Sequence, residues 1–128
     1  MDRRRILVVD DEQHMLLTVQ FILQSAGYAV RTARSGEEAL EVIGSCSATC
    51  EGFDLILTDI QMQGMTGLQL IDSLRASGIE APVLVMTGYG NDESVRELRR
   101  KGCTEFLEKP FDEEDLLRKV RQLCGSGY

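Results

Sequence analysis

The amino-acid sequence predicts an α/β protein built on an open parallel sheet. Short apolar runs rich in branched residues alternate with helix-period segments along the whole of the 128 residues. The runs "ILVV", "LIL" and "VLVM" are nearly continuous, as suits strands buried on both faces. Strict alternation of strand and helix, with no internal repeat beyond it, implies right-handed crossovers.

The first strand is expected over Ile6–Asp10, and a helix follows from about Gln13 to Ala26. That helix is apolar more widely than one buried stripe requires, with Met15, Leu16, Leu17, Val19, Phe21, Ile22 and Leu23. Most of the stripe belongs in the core; the excess could dock a partner helix. The second strand is expected over Tyr28–Ala33. Ser35-Gly-Glu-Glu38 then has capping-box spacing ahead of "EEALEVI". The segment "SCSATCEG" reads as an insertion before the third strand, Asp54–Thr58. Thr66-Gly-Leu-Gln69 repeats the capping box before "LQLIDSLRAS", and the fourth strand is expected over Pro82–Thr87. The fourth helix, Asp92 to Lys101, offers Val95 and Leu98 as anchors and carries the basic run "RELRRK". The fifth strand, Thr104–Glu108, precedes a helix that Asp112 can cap, with Leu116, Leu117, Val120, Leu123 and Cys124 on one face. Gly27, Gly78 and Gly102 each follow a helix, where a left-handed closing residue is wanted.

Composition bounds the function. Hydrophobic content of 43% and charged content of 27% suit a globular domain with a real core. The net charge of −7 argues against gripping nucleic acid through its phosphates. No apolar run approaches the ~20 residues of a membrane span, and "MDRRRILVVDDEQ" lacks a signal peptide's apolar core, so a cytoplasmic location is expected. Cys46, Cys50, Cys103 and Cys124 lack the four-ligand spacing of a structural zinc site and are expected to be reduced. A Cys46–Cys50 disulfide or a metal role is the alternative.

Chemistry concentrates at the strand ends. The first strand ends in Asp10-Asp11, the third in Asp59, the fourth in Thr87 and the fifth in Lys109-Pro110. Ligands of open α/β sheets bind beyond the carboxyl ends of the strands, where strand order reverses. Each motif alone is common; all of them together, each on its own strand end, are specific. In residue type, order and spacing they resemble the response-regulator receiver domain of two-component (histidine-aspartate phosphorelay) signalling, from Ile6 to about Cys124.

That resemblance implies a five-stranded sheet in the order 2-1-3-4-5 flanked by five helices, a flavodoxin-like, doubly wound (βα)5 fold. Residues 1–124 would form the receiver, with 125–128 a tail or the start of a linker. It makes Asp59 the carboxylate that takes a phosphoryl group from a phosphohistidine on a sensor histidine kinase or a histidine phosphotransfer protein. Asp11, Asp59 and the backbone carbonyl of Gln61 would hold Mg2+, with Asp10 assisting. Lys109 would neutralise a phosphoryl oxygen and Thr87 would donate a hydrogen bond to another. Thr87 and Phe106 would be the switch pair, and the fourth helix, fifth strand and fifth helix the face that binds an effector or a second copy. The Lys109–Pro110 bond is expected to be cis. With strands about 4.8 Å apart, Lys109 starts about 10 Å from Asp59 and its stem spans the gap.

Two positions depart from the commonest pattern of the family. Met62-Gln63 stands where Met-Pro is frequent, which frees φ and adds a backbone donor. Gly88 stands where alanine is frequent beside the switch hydroxyl. Both bear on switching kinetics and neither removes a chemical group. An aspartyl-phosphate hydrolase is the competing enzyme reading, but "IQMQ" after Asp59 supplies no second acid. A passive pseudo-receiver would lack one of the acids or the lysine, and all are present.

Overall fold

The computed structural model describes residues 4–46, 53–60, 64–79, 81–88, 93–100 and 105–125, apart from the side chains of Ser45, Cys46, Ser94 and Val95. The strands are β1 (Arg5–Val9), β2 (Ala29–Ala33), β3 (Leu55–Asp59), β4 (Val83–Thr87) and β5 (Phe106–Glu108). All pair in parallel, in the order β2-β1-β3-β4-β5. The helices are α1 (Gln13–Ser25), α2 (Gly36–Cys46), α3 (Gly67–Ala76), α4 (Glu93–Arg100) and α5 (Glu113–Cys124).

The three inner strands β1, β3 and β4 are buried on both faces, which is why they carry the apolar runs, whereas the edge strands β2 and β5 leave Arg31 and Glu108 exposed. Leu7 and Val9 of β1 join Ile56, Val83 and Val85 in a core shared with Leu70, Ile71 and Leu74 of α3 and Leu98 of α4. Ile6 and Val8 point the other way, into a core with Leu16, Val19 and Leu23 of α1 and Leu116 and Val120 of α5. Each such side chain, fully buried, contributes about 1.5–3 kcal/mol.

The caps follow the sequence with one correction. Thr66 and Gln69 form a complete capping box, and Asp112 accepts from Asp115 N. At α2 only half of the expected box forms. Ser35 Oγ accepts from Glu38 N (3.0 Å), whereas the Glu38 carboxylate reaches past Ser35 to Arg34 N (3.1 Å). Gly27 and Gly78 take the left-handed conformation that closes α1 and α3, at φ 97° and 81°; Gly102 lies outside the described residues. Residue 104, expected in the fifth strand, also lies outside them.

The wide apolar surface of α1 divides as its periodicity requires. Leu16, Val19 and Leu23 are buried, while Leu17 and Phe21 are 54% and 71% exposed. Among the described residues, no helix is long and apolar enough to cross a membrane.

Candidate functional site

The carboxyl ends of β1, β3 and β4 deliver their polar residues to one edge. β1 ends at Val9, and Asp10 N still bonds Ala33 O of β2 (3.1 Å), so Asp10 is held in line with the sheet. Its side chain is fully buried, and Oδ1 accepts from Glu12 N (2.9 Å), a local Asx-type turn leading into α1. Asp59 closes β3 opposite Met86, and buried Thr87 closes β4. Lys109 follows β5, and its N–H donates to Thr87 O (2.7 Å), which brings its stem to the same edge. The Lys109–Pro110 bond is cis, as the resemblance implied.

There the side chains meet. Lys109 Nζ donates to Asp59 Oδ2 at 3.0 Å and lies 3.7 Å from Asp10 Oδ2. Carboxylate oxygens of Asp10, Asp11 and Asp59 all fall within 4.8 Å of one another. Three carboxylates against one ammonium leave the cluster negative. Unit charges ~4 Å apart repel by about 4 kcal/mol at an effective dielectric of 20.

The titration behaviour follows from this crowding. Burial raises the pKa of Asp10, and the charges of Asp59 and Asp11 add to it, against the Glu12 N–H and the Lys109 charge. Burial pulls the Lys109 amine down. The hydrogen bond and charge of Asp59, with the charge of Asp10 behind them, outweigh that and hold the lysine above its ordinary value. Asp10 Oδ2 is buried without a hydrogen-bond partner. A buried, orphaned carboxylate oxygen beside two further carboxylates fits a hard divalent cation, which takes oxygen ligands and tolerates retained waters.

The other expected residues are placed unevenly. Gln61 lies outside the described residues, as do Met62 and Gln63. Phe106 opens β5, half-buried against the core that contains Leu98, and the Arg99 guanidinium stands 5.3 Å from its ring centroid. A Cβ built on Gly88 would meet nothing within 4 Å, so packing does not impose glycine there. Cys124 is a free thiol that burial, with the nearby charge of Asp54, pushes up to about 11, so it is protonated at neutral pH. Cys50, Cys103 and the side chain of Cys46 lie outside what is described.

Sequence reasoning overlooked three groups around this edge. Glu12 N holds Asp10, and "DDE" at a strand end is the Asx-turn signal that could have shown it. Glu37 Oε1 accepts from Met65 N (3.0 Å) in the loop after β3. Arg99 covers Phe106. The last two contacts join separate elements and leave no local signal.

Comparison with known proteins agrees with this geometry. The family model of the response regulator receiver domain matches residues 6–121. The transcriptional regulatory protein FixJ of Azorhizobium caulinodans is 35% identical over 118 residues, covering 92% of this chain and 54% of FixJ. The nitrogen assimilation regulatory protein NtrX of the same organism is 37% identical over 114 residues, 88% of this chain and 24% of NtrX. Thus the chain spans between a quarter and about half of these relatives. The chemotaxis protein CheY4 of Vibrio cholerae superposes with a TM-score of 0.86 at 32% identity, over 95% of this chain and 99% of CheY4. With the strand order 2-1-3-4-5 and the acid cluster at its carboxyl edge, these matches show that the chain belongs to the receiver-domain family of two-component response regulators.

Proposed function

We propose that this chain is a phosphorylation-dependent switch in which Asp59 accepts a phosphoryl group from a phosphohistidine of a sensor histidine kinase or histidine phosphotransfer protein. The observation that carries this reading is the cluster of Asp59 with two further carboxylates and the Lys109 ammonium. An oxygen of Asp59 bonds to phosphorus as the P–N bond to the partner's imidazole breaks. Phosphoryl transfer asks the protein mainly for positioning and charge neutralisation. Asp11 and Asp59, with the Gln61 carbonyl and with Asp10 assisting, would hold Mg2+. When bound, the cation supplies positive charge to the oxygens of the transferring group. Lys109 releases Asp59 and pairs with a phosphoryl oxygen, and Thr87 donates its hydroxyl to another. The chain is not an enzyme on this reading beyond making and losing its own aspartyl phosphate.

Output runs through α4, β5 and α5. As Thr87 is drawn to the phosphoryl group, Phe106 turns inward and gives up its stack with Arg99, loosening α4. The face so altered binds an effector or a second copy. FixJ and NtrX are named transcriptional and nitrogen assimilation regulators, which supports residues 1–124 as the receiver of a transcriptional regulator, with 125–128 leading to a tail or linker. Leu17 and Phe21, one turn apart on the helix that starts beside Asp10-Asp11, give the phosphohistidine partner an apolar surface.

Incubation with acetyl phosphate and Mg2+ tests the reading. One phosphoryl group should be added, and Asp59→Asn or chelation of Mg2+ should abolish it. Undiminished labelling of Asp59→Asn would overturn it.

A further inference from the structure

We propose that Glu37, at the start of α2, is a positioning residue for Asp59, acting through residues 64–67, which lead into α3. This rests on the reading of Asp59 and its metal cluster given above.

The path is continuous. Glu37 Oε1 accepts from Met65 N at 3.0 Å, a charge-assisted bond across 28 residues of sequence. Gly64 just before it has φ 79°, and a Cβ there would lie 3.2 Å from Glu37 Oε2. Glycine thus serves both the turn and the approach of the carboxylate. On the neighbouring position of α2, a Cβ built on Gly36 would lie 2.7 Å from Met65 Sδ, so the first turn of α2 is packed directly on residue 65. From Met65 the chain passes through the Thr66 cap to Gly67, whose N–H donates to Ile60 O (3.0 Å). A Cβ on Gly67 would lie only 2.5 Å from the Asp59 carbonyl oxygen. Residue 67 therefore leans on the backbone of the phosphoacceptor, and residue 65 is tied to α2.

This tie stands beside the position where the family's frequent proline is missing. Glutamine lacks the ring by which proline fixes φ, and the Glu37 bond is an anchor on Met65 that does not depend on that ring. A plainer role for Glu37 is that of an acid in the first turn of a helix, favoured by the helix dipole. That role would stabilise α2 and leave the site untouched. Glu38 separates the two, because it also sits in the first turn but bonds only Arg34 N and Ser35 Oγ among the described contacts.

The experiment compares Glu37→Ala, Glu37→Gln and Glu38→Ala in the full chain. Readouts are the Mg2+ dissociation constant by calorimetry, the initial rate of labelling by acetyl phosphate, amide exchange at Met65 and the melting temperature. Glu37→Ala should weaken Mg2+ binding and slow labelling about three- to tenfold and speed exchange at Met65. Glu37→Gln keeps an acceptor oxygen and should recover to within about twofold. Glu38→Ala should lower the melting temperature without moving the Mg2+ constant or the Met65 amide. Unchanged Mg2+ affinity and Met65 exchange in Glu37→Ala would overturn the proposal, as would an equal loss of affinity in Glu38→Ala. If the unsubstituted protein neither binds Mg2+ nor labels, the reading of Asp59 fails first and the proposal falls with it.

Discussion

Asp10 bears most of the electrostatic strain of the site. It is fully buried, one of its oxygens has no hydrogen-bond partner, and its pKa is raised above the ordinary 3.8, chiefly by burial. An acid whose pKa is raised by folding favours the folded state below its ordinary value and loses that contribution as pH climbs through the folded one. Once ionised, Asp10 therefore works against the fold. Asp10→Asn should raise the stability of the metal-free protein by about 1–3 kcal/mol. The same change should reduce the stabilisation that Mg2+ gives, because a ligand stabilises only the state that binds it. In the unsubstituted protein, Mg2+ affinity should rise with pH as Asp10 loses its proton. Thermal melts with and without Mg2+ across this range check all three. A destabilised Asp10→Asn that still responds fully to Mg2+ would contradict the assignment.

Among the described glycines, Gly67 at the start of α3 leaves the least room for a side chain. Gly67 meets Asp59 O and Ile60 Cα, backbone atoms that cannot swing aside as a side chain can. Gly67→Ala should cost about 1–3 kcal/mol by overpacking. It should also slow labelling by acetyl phosphate, because the carboxylate moves with its backbone. A melt and a labelling time course measured together would show this; a destabilised variant that labels at the full rate would uncouple the two. The start of α3 also marks where sequence reading succeeds and stops. The Thr66–Gln69 box was legible because a cap satisfies its own first turn within three residues. The hold of Glu37 on Met65 and of Arg99 on Phe106 was not, because each depends on how two helices or a helix and a strand come to lie together. Even the capping box expected at Ser35 changed partner, its glutamate bonding Arg34 N instead.

For the whole molecule, a parallel sheet was readable from apolar runs that alternate with helices, yet its strand order came only from the resemblance. Apolar periodicity says which faces are buried and not which strands are neighbours. Strand ends were informative because a parallel sheet gathers them at one edge, so only the order was needed to bring Asp10, Asp11, Asp59, Thr87 and Lys109 to neighbouring strand ends. The surface of α1 belongs to this scale too, since its use depends on a second molecule. Phe21 is 71% exposed, and Phe21→Asp should leave the fold and acetyl phosphate labelling intact while slowing transfer from a phosphorylated histidine kinase at least about tenfold, the loss of about 1.4 kcal/mol of docking. Equal transfer rates would move the docking surface elsewhere. Direct chemical mapping tests whether Asp59 carries the phosphoryl group. Protein labelled by acetyl phosphate with Mg2+ is reduced with borohydride, which converts an acyl phosphate to an alcohol, and is then sequenced by mass spectrometry. Homoserine is expected at position 59 and nowhere else; an unaltered Asp59 with the reduced residue at Asp10, Asp11 or any other acid would overturn Asp59 as the phosphoacceptor.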